Sequence, residues 1–60
     1  MVILKFERTF TTGYLEGVRN KDKISFVDIP SAEKWIRGVN ENNKKGYNDY
    51  SVRPISYSVK

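Results

Sequence analysis

The first ten residues alternate between apolar and polar side chains. One face of an extended chain would carry Val2, Leu4, Phe6 and Phe10. The other face would carry Ile3, Lys5, Glu7 and Thr9. A period of two with β-branched and aromatic residues is typical of a strand that buries one side. We therefore predict a strand over Val2–Phe10 whose second, mixed face meets solvent or a polar partner.

Glycine and polar clusters divide the next segment. Residues 11–13, Thr-Thr-Gly, suit a hairpin loop that glycine closes in a left-handed conformation. Residues 14–18 resume an extended pattern and predict a second strand, in which Gly17 marks a bulge or the close approach of another group. Residues 19–23 are polar and predict a turn, and residues 24–27 predict a third strand.

The hydrophobic period changes from two to between three and four after Pro30. A stripe at helical spacing consists of Ala32, Trp35, Ile36 and Val39. With Ser31 as the N-cap and Glu33 in the first turn, this stripe predicts a helix over residues 32–43. Gly46 is expected to end the helix in a left-handed closing position.

The chain is extended again from Tyr50, but the parity of its apolar residues changes. Val52 is even-numbered, whereas Ile55 and Tyr57 are odd-numbered. The change falls at Pro54, a residue that belongs at a sheet edge or a bulge because it lacks an N–H. We therefore predict a bulged last strand that lies at an edge of the sheet.

Together these elements predict a single α+β domain over residues 1–60. The order is β-β-β-α-β, a small and mostly antiparallel sheet with one helix packed on one face. The order of the strands within the sheet is left open by the sequence.

The residue inventory argues against an enzyme. The 60-residue chain has no histidine and no cysteine, so the usual acid, base, nucleophile and zinc ligands are missing. We expect no catalytic activity, no metal and no cofactor. No apolar run is long enough to predict a membrane span, and the lack of cysteine favours a cytoplasmic protein.

The charge favours anionic partners and gives a first binding hypothesis. Eleven basic and seven acidic residues leave a net charge of +4. A nucleic-acid-binding module would combine basic residues with stacking surface, and the candidates are Arg8, Arg19, Lys21, Lys23, Lys44, Lys45, Tyr47 and Tyr50. Alternatively, the charge only maintains solubility, and Lys44 and Lys45 only compensate the helix dipole.

The second hypothesis is contact with another protein. Tyrosine is enriched at interfaces, and the candidate anchors are Tyr14, Tyr47, Tyr50 and Tyr57. The last-strand edge or the open sheet face would also allow a homodimer. A third possibility is a domain with a purely structural or oligomeric role.

The run T-F-T-T-G-Y-L-E-G-V, followed by the helix S-A-E-K-W-I-R-G-V-N-E-N-N-K-K-G, resembles short proteins encoded by bacterial phages and prophages. The resemblance implies a small accessory protein in a bacterial cytoplasm that acts on a host factor by protein contact. It implies no biochemical activity and no particular site residues. On this ground protein contact is the first hypothesis and nucleic acid the second.

Overall fold

A computed structural model describes residues 1–59. Its elements are β1 (Val2–Phe10), β2 (Arg19–Phe26), α1 (Ile29–Lys44) and β3 (Tyr50–Val59). The strands form one sheet in the order β2-β1-β3, and β1 is antiparallel to both neighbours. The predicted α+β class, an antiparallel sheet with one helix, is confirmed, although the sheet has three strands rather than four.

The core lies between α1 and the central strand β1. Leu4 and Phe6 are fully buried, together with Ala32 of the helix, and Val52 of β3 completes the cluster. The ring of Trp35 meets that of Phe6 edge to face, with centroids 5.2 Å apart. The apolar stripe read from the sequence is therefore the face of α1 that packs on the sheet.

Residues 11–18 form a loop, so the predicted strand over residues 14–18 is wrong. The loop closes on itself, because Phe10 N–H donates to Val18 O at 3.0 Å and Gly17 N–H donates to Phe10 O at 2.8 Å. Gly13 and Gly17 have φ values of +81° and +88°, which other residues rarely adopt. No group approaches Gly17 closely, so the backbone conformation, rather than a packed neighbour, explains this glycine.

The polar residues 19–23 belong to β2, so the turn predicted there is also wrong. Arg19 lies opposite Thr9, and Lys23 lies opposite Lys5. β2 is an outer strand, and all of its residues are exposed or half-buried. A strand that buries so little needs no alternation of apolar residues, which is why its sequence looks like a turn.

The helix begins three residues earlier than predicted because Asp28, not Ser31, is its N-cap. Asp28 has an extended backbone, and its carboxylate accepts a hydrogen bond from the Ser31 N–H at 2.9 Å. Pro30 lies in the first turn, where its missing N–H costs nothing. Glu33 consequently falls beyond the first turn.

The helix ends as predicted, with Gly46 in the left-handed closing position. Gly46 has a φ of +82°. Its N–H donates to Asn43 O at 3.1 Å, and the N–H of Tyr47 donates to Asn42 O at 2.9 Å. This pair of bonds is the Schellman motif, which satisfies carbonyls that the helix leaves open.

The predicted bulge in the last strand is confirmed, as is its place at an edge of the sheet. Lys5 pairs with Ser56 and Phe6 with Pro54, which leaves Ile55 as the extra residue. Part of this edge is occupied from within the chain. The side-chain amide of Asn40 donates to Val52 O at 3.0 Å and accepts from Val52 N–H at 2.7 Å. Asn40 thus takes the place of a neighbouring strand at Val52.

Replacing Asn40 with alanine is expected to destabilise the fold by about 1–3 kcal/mol, because a backbone donor and acceptor of the nearly buried Val52 lose their partner. Urea denaturation measures the change. Asn42→Ala, at an exposed position of the same helix, is the control and should change the free energy of unfolding by less than about 0.5 kcal/mol. Equal stability of the two variants would contradict the role of Asn40.

The Asp28 cap is expected to make helix stability depend on pH. Hydrogen bonds from the Ser31 hydroxyl and backbone N–H lower the pKa of the Asp28 carboxyl. The folded-state pKa is depressed, so the carboxylate stabilises the fold above the unfolded pKa, and this stabilisation is lost as the pH falls through the folded value. Asp28→Asn keeps a capping oxygen that does not titrate. The stability difference between wild type and this variant should therefore change below about pH 4 and stay constant above about pH 5 in denaturation curves.

Candidate functional site

The sheet face turned away from α1, here called the open face, is defined by the pairing register. Residues directly opposite each other in antiparallel strands project to the same side. β1 contributes Ile3, Lys5, Glu7 and Thr9. β2 contributes Arg19, Lys21, Lys23 and Ser25. β3 contributes Ser51, Arg53, Ser56 and Ser58.

The positive charge of the protein is concentrated on the open face. Among residues 1–59 it holds five of the ten basic residues but one of the seven acidic residues. The open face therefore has an excess of four positive charges. The other described residues comprise five basic and six acidic ones and have no such excess. One side of the sheet is therefore an anion-attracting surface.

Three lysines lie close together in the middle of this face. Lys5 and Lys23 are direct cross-strand neighbours, an arrangement in which like charges destabilise a sheet. With Lys21 they line a shallow depression of about 240 Å³. Asp22 also borders it, but the register turns Asp22 toward the helix side, and its carboxylate accepts from the Lys23 N–H at 2.8 Å. A bound anion would relieve the repulsion among the three ammonium groups.

The single carboxylate of the open face is already paired. Arg53 Nη2 lies 3.3 Å from Glu7 Oε1. Glu7 is only 15% exposed, whereas Arg53 is 72% exposed. The arginine is consequently the member of the pair that meets solvent at the surface of β3.

The structure brings together three of the nine binding residues predicted from the sequence. Arg19, Lys21 and Lys23 stand in a row along β2 and are exposed. Lys5 and Arg53 join them across the sheet, although neither was among the predicted binding residues. The alternation of β1 indicated that Lys5 lies on the face opposite the core. Arg53 follows Val52, whose side chain points inward, so the alternation of β3 indicated that the Arg53 side chain points outward.

Arg8 lies on the opposite side of the sheet. Its guanidinium sits 5.5 Å from the ring centroid of Phe6 and 5.0 Å from that of Tyr50. Asp22 Oδ2 is 4.0 Å from it, and the Arg8 side chain is 25% exposed. The aliphatic stem of Arg8 packs against the sheet, and its guanidinium lies near both aromatic rings. These contacts direct Arg8 toward the core rather than toward the open face.

The remaining candidates lie elsewhere on the molecule. Tyr14 is at the tip of the β1–β2 loop and is 97% exposed. Lys44 and Lys45 end α1, and exposed Tyr47 follows them. Tyr50 packs edge to face on Phe10 with centroids 5.9 Å apart. The structure therefore separates the predicted stacking tyrosines from the row of cations on β2.

A second concavity lies between α1 and β3, with a volume of about 670 Å³. Its lining residues are Glu33, Ile36, Arg37, Asn40, Glu41, Lys44, Pro54 and Tyr57. Two acidic and two basic side chains balance one another there, so the groove has no preference for one sign of charge.

The carboxylates of residues 1–59 form no group of three or more that could hold a metal ion. The single helix in this range is not long and apolar enough to cross a membrane.

None of the protein-family models, curated proteins or solved structures compared with the chain matches it significantly. The resemblance to phage-encoded proteins, and the protein contact with a host factor that it implies, stay predictions.

Proposed function

We propose that the protein binds nucleic acid through contacts between the open face and phosphate groups. The supporting observation is the distribution of charge: among residues 1–59 the open face carries a net charge of +4, whereas the other residues together carry −1. Phosphate contacts by lysine and arginine supply most of the affinity in nonspecific nucleic-acid binding. Nucleic acid is therefore the first candidate ligand and a protein partner the second, whereas the sequence favoured the reverse order.

The arrangement of the cations supports a polymeric ligand rather than an isolated anion. Arg19, Lys21 and Lys23 alternate along β2, and a two-residue repeat in a strand advances by about 6.6 Å. Such a row suits a chain of regularly spaced phosphates. Lys5 and Arg53 widen the charged surface across the neighbouring strands.

The apolar content of the face argues against a lipid surface. Peripheral membrane binding combines basic residues with large apolar groups that enter the acyl boundary. Ile3 is the one aliphatic residue that the strand pairing places on the open face, and it is half-buried. The polar hydroxyls between the cations suit hydrogen bonding to phosphate and sugar instead.

Neutralising two cations of β2 is expected to weaken binding strongly. The double variant Lys21→Gln, Lys23→Gln removes two phosphate contacts and should lower the affinity for a labelled DNA oligonucleotide by a factor on the order of 10 to 100 at about 0.1 M salt. The slope of log K against log salt should become shallower by about 2. Fluorescence anisotropy across a salt series measures both quantities.

The matched control is Lys34→Gln, Arg37→Gln, which removes the same charge from exposed positions of α1. It should change the affinity by less than about threefold, since these side chains lie on the other side of the molecule. Equal losses in the two double variants would contradict a site on the open face. Binding to phosphatidylserine vesicles without binding to DNA or RNA would contradict the choice of ligand.

A further inference from the structure

The open face lacks every aromatic side chain of the protein. The register and the loops place all eight elsewhere, namely Phe6, Phe10, Tyr14, Phe26, Trp35, Tyr47, Tyr50 and Tyr57. Between its cations the face presents hydroxyl groups, those of Thr9, Ser25, Ser51, Ser56 and Ser58. Hydroxyls donate to phosphate and sugar oxygens but provide no stacking surface.

This composition disfavours the recognition of unpaired bases. Sheets that bind single strands stack bases on exposed aromatic rings, and much of their affinity comes from that stacking. The open face also lacks the asparagine and glutamine amides that read adenine, because Asn20 projects toward the helix side. The groups that remain are lysines, arginines and hydroxyls, side-chain types that supply many of the hydrogen bonds that proteins make to the nucleic-acid backbone.

A duplex presents a higher density of phosphate charge to such a face than a single strand does. Double-stranded DNA carries one negative charge per about 1.7 Å of its axis, so each cation placed near it releases more counterion than near a single strand. The cations of β2 and β3 lie two strand spacings apart, roughly 10 Å. That separation lies between the widths of the minor and major grooves, about 6 and 12 Å, so the outer strands can reach phosphates of both chains.

We infer that the ligand is double-stranded nucleic acid, held by its backbone without reading of the bases. The inference rests on the proposed function and narrows it to a ligand class. Arg19, Lys21 and Lys23 follow one phosphate chain, while Arg53 on the far side of the sheet faces the other. Lys5 lies between these two sets of contacts.

The first test compares a labelled DNA duplex of about 20 base pairs with each of its separated strands, by anisotropy at several salt concentrations. The duplex should bind at least about threefold more tightly, and duplexes of different sequence should agree within about threefold. The slope of log K against log salt should be no steeper than about −4.5, the value for five phosphate contacts at about −0.9 each.

The possible results distinguish specific binding of duplexes from nucleic-acid binding in general. Tighter binding to a single strand, or strong preference for one duplex sequence, overturns the inference and leaves nucleic-acid binding in place. Absence of binding to duplex and single strand alike overturns both.

The second test uses a variant that is expected to bind duplex more tightly than the wild type. Glu7→Gln eliminates the one carboxylate of the open face and releases Arg53 from its ion pair. We expect duplex affinity to rise by a factor on the order of three to ten, with a salt slope steeper by up to about 1. Thermal unfolding monitored by circular dichroism verifies that the variant is folded.

The matched control is Glu41→Gln, which makes the same charge change at an exposed position of α1. It should alter duplex affinity by less than about twofold because it lies on the helix side of the molecule. An affinity that is unchanged or lower in folded Glu7→Gln, or a rise of equal size in Glu41→Gln, overturns the inference that β3 contributes to the contact.

Discussion

The burial of Leu4 and Phe6 beneath the helix is the constraint on which the rest of the structure depends. Side chains of a strand alternate between its faces, so fixing these two residues inward turns Lys5 and Glu7 outward. A slip of one residue in the central strand would bury a lysine and expose both apolar side chains. The same contacts that form the core therefore separate the charges of the protein. The buried core and the charged open face both follow from the register of β1.

Strong periodicity made several parts of the fold predictable. The alternation in β1, the apolar stripe of α1 and the glycine after the helix each reflect a local requirement that the sequence expresses directly. The parity change near Pro54 likewise revealed the bulge, because an extra residue must shift the phase of a strand. β2 lacked any such signal, since an outer strand that buries few side chains can be almost entirely polar. The loop over residues 11–18 was mistaken for a strand because its apolar residues face solvent.

Only part of the candidate site could be predicted from the sequence. The basic residues of β2 stood out as a local cluster, and their alternation became meaningful once they were placed in a strand. Their association with Lys5 and Arg53 depends on pairing between segments distant in the chain, which no local pattern encodes. The same is true of Arg8, whose parity indicated the core side but whose position between Phe6 and Tyr50 follows from the packing of three strands. The pairing of strands that are distant in the chain thus determines which basic residues lie close together.

The loop over residues 11–18 is fastened at its base and free at its tip. Thr11 N–H donates to Asp49 O at 2.8 Å, and the Thr12 hydroxyl bonds to the Asp49 carboxylate at 3.1 Å, so this loop is tied to the one that follows the helix. Tyr14 at the tip is almost fully exposed. Lengthening a flexible loop costs little entropy, about 0.6 kcal/mol for each doubling of its length. Extra residues inserted at Tyr14 would extend outward from a closed base without changing how the strands pair. The fold can accordingly accept an added recognition segment at one end while its charged face stays the same.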